Sequence, residues 1–497
     1  MRISFLNPQG NFDNNDLYWT EHPDFGGQLV YVKEVAIEMA KMGIEVDIIT
    51  RQIIDKNFPG FEKKLDYYKG VDNLRIIRIP FGGKKFLNKE KLWNYIDEYV
   101  DGIINFYKKE GEYPDFFTGH YGDGGLAGAL LYKKLDIPYT FTGHSLGAQK
   151  MDKLNVNRDN ISKMDEKYNF SKRIMAERLS IANSAVNIVS TSQERYEQYS
   201  HNAYNGAVDV NNDLKFKIIP PGVNIDMFNK DGKNEEEDFI KDKIKNMFNR
   251  DINKNRLDLP AVIAASRLDP KKNHVGLVKA YAENKELQEK CNLVITLRGI
   301  DNPFKDYSNA REKEKKILDE IMEIINKYDL KGKVCMFSLN SQKQLAATYR
   351  EFARRDSIFT LTALYEPFGL APIEAMACGL PAVVTKNGGP SEVLKEGDKE
   401  FGVLVDPNDT LDISNGILKM FKYKNEYKKL GIKRVYNKFT WENTAKGYID
   451  IIKRKRKEKI NGKDFNKFSI HPYFKNPKNN DKITLDKLKK IYFEGGE

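Results

Sequence analysis

The stretch whose reading decides the fold is Tyr365-Glu366-Pro367-Phe368-Gly369-Leu370-Ala371-Pro372-Ile373-Glu374-Ala375. A β-branched, apolar run, Ile358 to Ala363, precedes it and reads as a buried parallel strand; the stretch itself opens a short helix ended by Gly379 and Pro381. Ala382 to Thr385 is strand-like again, which makes a compact βαβ unit. Ligands of such sheets bind outside the carboxyl ends of the strands, and both glutamates fall at that end. Pro367 biases Glu366 towards an extended backbone, Gly369 lets the chain pass close to a ligand, and Pro372 is tolerated in a first helical turn. Glu366 therefore leaves the strand tip towards the crevice, with Glu374 one turn inside the helix. Each carboxylate alone has a bland reading, as a solvated loop charge or an acid complementing a helix N-terminus. Two prolines and a glycine at fixed offsets around them favour a binding site.

Outward from this unit the alternation of strands and helices continues. Ala261 to Ala265, Leu293 to Leu297, Val334 to Phe337 and Val403 to Val405 complete one series. An earlier series runs through Ile3 to Leu6, Val46 to Ile49, Leu74 to Ile79, Asp115 to Gly119, Tyr139 to Thr142, Asn187 to Thr191 and Lys217 to Ile219. Pro220-Pro221-Gly222 separates the two, and residues 229–259, dense in Lys, Asp, Glu and Asn, read as an exposed, partly helical insertion. Two such series predict an α/β protein of two Rossmann-like, doubly wound domains facing a cleft, residues 1–220 and 221–437, with a helical, Lys-rich tail from about residue 438 to 497.

Several groups sit where ligands would be met. Phe25-Gly26-Gly27-Gln28 precedes the helical spacing of Leu29, Val32, Val35, Ala36 and Met39, and a glycine pair at a helix N-terminus offers free N–H groups to an anion, although it also serves as a plain turn. Two strands end in histidine, His120 and His144; one such histidine is ordinarily a structural hydrogen bonder, and the pair points to a site. Gly122-Asp123-Gly124-Gly125-Leu126-Ala127 fits the loose G-x-G-x-x-A pattern, but it does not follow the first strand and no acidic strand tip comes after it, which argues against a nicotinamide site. In Ser266-Arg267-Leu268-Asp269-Pro270-Lys271-Lys272-Asn273, Arg267 at a strand tip and Lys272 before a helix direct two cations to one place, while Lys271 reads as solvated. Asn387-Gly388-Gly389-Pro390 adds further backbone N–H groups.

At 497 residues, 40% hydrophobic and 31% charged, the chain has a globular rather than a disordered profile. No apolar run approaches the ~20 residues of a membrane span, and Met1-Arg2-Ile3-Ser4-Phe5 leads straight into a strand, so a cytoplasmic protein is expected. Cys291, Cys335 and Cys378 read as small core residues. The net charge of +11 is dispersed except at Lys453-Arg454-Lys455-Arg456-Lys457, which reads as an exposed helix face rather than a nucleic-acid site.

The Glu366-to-Glu374 stretch resembles the E-x-x-x-x-x-x-x-E element of retaining glycosyltransferases with the two-domain GT-B fold. That resemblance implies that Glu366 contacts the sugar of a nucleotide-sugar donor and Glu374 its ribose, that Arg267 and Lys272 clamp the diphosphate, and that Gly26, Gly27, Phe368, Gly369 and Leu370 line the donor site. Phe25 to Val32, His120 to Asp123, Phe141 to Gly147 and Ser190-Thr191-Ser192-Gln193-Glu194 are similar to the sucrose-phosphate synthases, and the likeness covers nearly all of the chain. This implies transfer of glucose from UDP-glucose, a substrate rather than a cofactor, to fructose 6-phosphate, with His144, Arg267, Lys272 and Glu366 as the catalytic residues. Lys150 and Arg173 match the family's acceptor cations, with Gly26, Gln28, Tyr121 and Ser145 beside them. Configuration is expected to be retained. The absence of any Asp-x-Asp predicts a reaction without metal or cofactor. The family's tail braces the first domain, and a separate sucrose-phosphate phosphatase is expected to release sucrose. Sucrose synthase, which takes unphosphorylated fructose, a mannosylfructose-phosphate synthase, and a nucleotide-sugar-binding protein without turnover remain the alternatives.

Overall fold

The computed structural model describes residues 1–19, 22, 24–462, 468–477 and 482–496. The chain divides into two compact units, Met1–Pro220 with Trp441–Glu497, and Pro221–Thr440.

The first unit is built on an eight-stranded sheet in the order β3-β4-β2-β1-β5-β6-β7-β8. The strands are β1 (Arg2–Leu6), β2 (Glu45–Arg51), β3 (Leu65–Tyr67), β4 (Leu74–Ile79), β5 (Phe116–His120), β6 (Tyr139–Thr142), β7 (Val186–Val189) and β8 (Phe216–Ile218). All pair in parallel except β3, an antiparallel edge strand that the apolar pattern does not announce. The central strands are buried on both faces, as their unbroken apolar runs require of a parallel sheet. The glycine-rich run at 122–128 lies inside the Tyr121–Leu135 helix. A Cβ at Gly124 would stand 2.2 Å from Leu6 O, and one at Gly125 or Gly128 would meet the Phe141 or Tyr139 ring at 2.5 and 2.6 Å. These glycines seat a helix on the sheet, and their spacing has nothing to do with a dinucleotide.

The Trp441–Ile460 helix belongs to this unit and packs on the Gly27–Lys41 helix, with Trp441 edge-on to Tyr31 at 5.4 Å. Its basic run is largely the exposed face expected of it, with Lys453, Arg454, Arg456 and Lys457 exposed, and Lys455 departs from it. Lys455 is buried and donates to Leu214 O at 3.1 Å, Arg456 pairs with Asp115 at 2.6 Å, and Lys459 pairs with Asp136 at 2.7 Å. Much of the positive charge is spent on fastening the helix to the sheet.

The second unit carries a six-stranded, wholly parallel sheet in the order β11-β10-β9-β12-β13-β16. Its strands are β9 (Ala261–Ala265), β10 (Asn292–Leu297), β11 (Val334–Ser338), β12 (Ile358–Leu361), β13 (Ala382–Thr385) and β16 (Val403–Val405); β14 (Lys395–Glu396) and β15 (Lys399–Glu400) form a separate hairpin. Renumbered from β9, the order is 3-2-1-4-5-6, the doubly wound arrangement whose strand order reverses between the first and fourth strands. Residues 229–259 are not an exposed insertion. The Glu237–Asp251 helix within them buries Ile240, Ile244 and Phe248 in the core, and Arg350, almost wholly buried, holds Glu237 at 2.5 Å. The three cysteines are free and buried. Among the described residues no helix is long and apolar enough to cross a membrane.

Candidate active site

In the second unit the reversal point lies between β9 and β12, and the residues beyond their carboxyl ends are the predicted donor groups. Asp269 opens a short 3-10 turn, accepting from Lys271 N at 2.9 Å, and Pro270 is preset for its first position. Asn273, at φ 54°, turns the chain into the His274–Glu283 helix and caps it by accepting from Gly276 N at 3.2 Å. Leu364 N donates to Lys271 O at 2.8 Å, which ties this turn to the tip of β12. The outcome is a Lys272 Nζ to Glu366 Oε2 contact of 2.5 Å between two half-buried side chains. Glu366 is itself clamped, its N–H donating to Asn387 O at 3.1 Å and its carbonyl accepting from Gly389 N at 3.0 Å. Gly388, at φ 100°, passes so close that a Cβ would lie 2.1 Å from Glu366 O, so no other residue fits.

Gly369, at φ 98°, starts the Leu370–Ala377 helix; Phe368 is buried against Phe439 and Leu370 is exposed. The Glu374 carboxylate is half-buried on that helix with no hydrogen-bond or ion-pair partner among the described residues, and loss of solvent pushes its pKa up to about 7. Arg267 is exposed and likewise without a partner among the described residues; it lines a hollow with Asp269, Arg311 and Glu314. Lys272 and Glu366 are thus brought together, whereas no described contact joins Arg267 to them.

In the first unit the corresponding reversal lies between β1 and β5. After β1 the chain reaches Gly26, which caps the Gly27–Lys41 helix without a side chain; both glycines are exposed, and nothing lies within 4 Å of where a Cβ on Gly27 would stand. Gln28 Nε2 donates to Asn7 Oδ1 at 2.8 Å, so its amide is oriented from below. After β5 come buried His120 and Tyr121, and after β6 come His144, at φ 55°, and exposed Ser145.

The predicted cations meet in this unit. Arg173 is buried, with Nε 2.8 Å from Glu177 Oε1, its guanidinium 4.5 Å from the centre of the Tyr121 ring, and an N–H donated to Ser145 O. Glu177 is saturated, accepting also from Gly147 N at 2.9 Å and from Tyr204 OH at 2.5 Å. Lys150 Nζ stands 4.1 Å over the Tyr168 ring. Desolvation, and then the charges of Arg173 and Lys89, push the pKa of Lys150 down to about 8. Lys89, absent from the sequence reading, is therefore a third cation of the cluster. It is held by Asp24, whose Oδ2 accepts from Lys89 N at 3.0 Å and whose Oδ1 lies 3.2 Å from Lys89 Nζ. No motif flags Lys89; its acidic partner and the lysine–arginine repulsion it adds to are visible only in three dimensions. Arg173 keeps Glu177 and Lys89 keeps Asp24, while no carboxylate is bonded to Lys150, so the cluster presents one uncompensated positive charge to an anion. Among the described residues no three His, Cys, Asp or Glu side chains are grouped to hold a metal ion.

Two doubly wound sheets, with a cation–carboxylate pair at the reversal point of one and an anion receptor at that of the other, define a GT-B glycosyltransferase, a hexosyltransferase. Residues 246–434 match the family described as glycosyl transferases group 1, and residues 1–248 match the first GT-B domain of sucrose synthase. A probable sucrose-phosphate synthase of Thermosipho melanesiensis is 46% identical over 91% of this chain and 97% of its own length, and the chain belongs to the sucrose-phosphate synthase family. The spinach (Spinacia oleracea) sucrose-phosphate synthase is 32% identical over 86% of this chain, which spans only 45% of that longer protein. Among solved structures, the sucrose-phosphate synthase of Thermosynechococcus elongatus superposes with a TM-score of 0.61 over 91% of this chain and 98% of its own, at 23% identity, a likeness of fold.

Proposed function

We propose that the protein moves glucose from UDP-glucose to fructose 6-phosphate with retention of configuration, giving sucrose 6-phosphate and UDP. The observation that carries this reading is the cluster of Lys150, Arg173 and Lys89 in the first unit, because a phosphorylated acceptor needs cations that a neutral sugar does not. Gln28, Tyr121, Ser145 and Gly26 complete the acceptor's surroundings. In the second unit Lys272 and Arg267 take the diphosphate, Glu366 the transferred sugar and Glu374 the ribose. An ammonium has three protons to give, so Lys272 can hold Glu366 and still face a phosphate oxygen.

The bond from the anomeric carbon to the leaving phosphate oxygen breaks while the acceptor hydroxyl bonds to the same face, and its proton passes to the departing phosphate. Negative charge grows on that phosphate, and fixed cations answer it without proton transfer of their own. No metal and no cofactor enters this scheme. The match of residues 1–248 to the sucrose synthase domain keeps unphosphorylated fructose as the competing acceptor.

The test is a matrix of UDP-glucose, ADP-glucose and GDP-mannose against fructose 6-phosphate and fructose, with EDTA present and the product's anomeric configuration read by NMR. Sucrose 6-phosphate from the first donor and fructose 6-phosphate, with UDP released only when both are present, is the expected result. A preference for fructose, for GDP-mannose, or UDP release independent of the acceptor would overturn the reading.

A further inference from the structure

Behind His144 the first unit holds a row of hydrogen bonds that ends on its imidazole. Thr140 Oγ1 donates to Thr118 Oγ1 at 2.8 Å, Thr118 Oγ1 lies 3.1 Å from His120 Nε2, and His120 Nδ1 lies 2.9 Å from His144 Nε2. Thr140, Thr118 and His120 are shut off from solvent. A hydroxyl has one proton to give. Thr118 receives that of Thr140, and the acceptor left for its own, among the described residues, is His120 Nε2. His120 then carries its proton on Nδ1 and gives it to His144 Nε2. A neutral His144 is left with its proton on Nδ1, which no described residue meets.

We propose that Thr118 and His120 are positioning residues that lock His144 in its neutral, Nδ1-protonated tautomer, so that it offers the bound substrate a fixed N–H donor and does not act as a base. This rests on the resemblance, which makes His144 one of the catalytic residues and so a group that touches the substrate. In acid–histidine pairs a carboxylate behind the ring steadies the imidazolium. Here the backing is a second neutral ring and two hydroxyls, and a proton arriving on His144 Nε2 would confront the His120 N–H. The other groups around the pair agree. His120 is stacked on Phe5, the Tyr31 ring stands edge-on to His144 at 4.9 Å, and the Tyr31 hydroxyl is turned away to Tyr448. Glu194 acts on Tyr31 and Tyr448, and among the described residues no carboxylate bonds either imidazole. Burial pushes His144 down to about 3 and His120 well below its usual range. The backbone of His144 is left-handed, at φ 55°, which is uncommon for a non-glycine residue.

The experiment uses the full chain labelled with 15N-histidine, with His144→Ala assigning the His144 signals. Expected is a protonated Nδ1 and a bare Nε2 that do not change between pH 6 and 8; an Nε2-protonated or titrating His144 would overturn the proposal with no further variant needed. Asparagine carries its amide where His120 has Nδ1, glutamine where it has Nε2. His120→Asn should therefore keep turnover within about fivefold, whereas His120→Gln should lose about 100-fold in kcat with both KM values within about threefold, the scale of a misdirected donor. Thr118→Val, which removes only the hydroxyl, should lose about tenfold and give a mixture of His144 tautomers. Equal losses for asparagine and glutamine would overturn the proposal. Full turnover by His144→Ala would overturn the reading of the site as well, and the wild-type spectrum separates the two failures.

Discussion

Both units place their functional groups beyond the reversal point of a doubly wound sheet, yet they treat charge in opposite ways. In the first unit Arg173 is buried, paired with a fully buried Glu177 and fixed from three sides. Lys150 stays desolvated with no carboxylate bonded to it. In the second unit Lys272 and Glu366 are half-buried and neutralise each other, and Arg267 lies in solvent. A buried, preassembled receptor binds a charge that is the same before and after reaction, such as an acceptor's phosphate. A half-buried pair whose partners can be exchanged suits a charge that grows during reaction, as on a departing diphosphate.

If this contrast holds, the largest effect belongs to the second unit. Lys272→Ala should lower kcat about 1,000-fold while the donor KM moves less than about fivefold, because its charge counts mainly in the transition state. Initial rates across a range of UDP-glucose concentrations measure this, and a change confined to KM would place Lys272 in ground-state binding. Next comes stability in the first unit. Glu177→Ala strands the Arg173 charge in a buried site and should cost about 3 kcal/mol, read as a lower denaturation midpoint; the same change at Glu366, whose lysine can reach water, should cost under about 1 kcal/mol.

Lys150 is the intermediate case. Lys150→Ala should raise the KM for fructose 6-phosphate about 30-fold and leave that for fructose unmoved, in keeping with loss of one desolvated charge–charge contact. With its pKa brought down to about 8, the free enzyme's lysine is charged below that pH and neutral above it. The kcat/KM for fructose 6-phosphate should therefore fall as pH rises through about 8, and the wild-type slope should vanish in the variant. The lowered pKa also means that the charge burdens the folded state, so Lys150→Met should melt no lower than the wild type.

Most strands were legible because each is a short, local, apolar run, whereas β3 and the β14–β15 hairpin carry no such run; Lys272, Glu366 and Gly388 were legible because each sits in a short contiguous motif of its own. What was hidden is what distant segments supply. Lys89 belongs to no motif and joins the cation cluster only because Asp24 holds it near Lys150 and Arg173. The buried face of the Glu237–Asp251 helix was written as Ile240, Ile244 and Phe248, a four-residue spacing, and the surrounding charge masked it. Within the basic run at 453–457, Lys455 departs from the solvated reading because the Leu214 carbonyl to which it donates lies far upstream in the sequence. The His144–His120–Thr118 row could not be foreseen either, since hydrogen-bond direction is a property of neighbours in space.

The smallest expected effect tests a carboxylate that, unlike Glu366, has no cation beside it. Glu374 lacks a partner among the described residues, and burial alone carries its pKa from 4.5 to about 7. The folded chain thus binds a proton more tightly than the unfolded chain does. That proton's contribution is fully present below pH 4.5, is lost as pH rises towards 7, and is absent above. Glu374→Gln has no such proton, so its melting temperature should match the wild type near pH 4.5 and exceed it on the order of 2 °C at pH 8. If the same carboxylate accepts from the donor's ribose, the variant should also raise the UDP-glucose KM about threefold with kcat little altered, since the ribose is the same in ground and transition states. Greater stability together with an unchanged KM would leave Glu374 a buried charge with no ligand, and the donor pole of the second unit would then shrink to Lys272, Glu366 and Arg267.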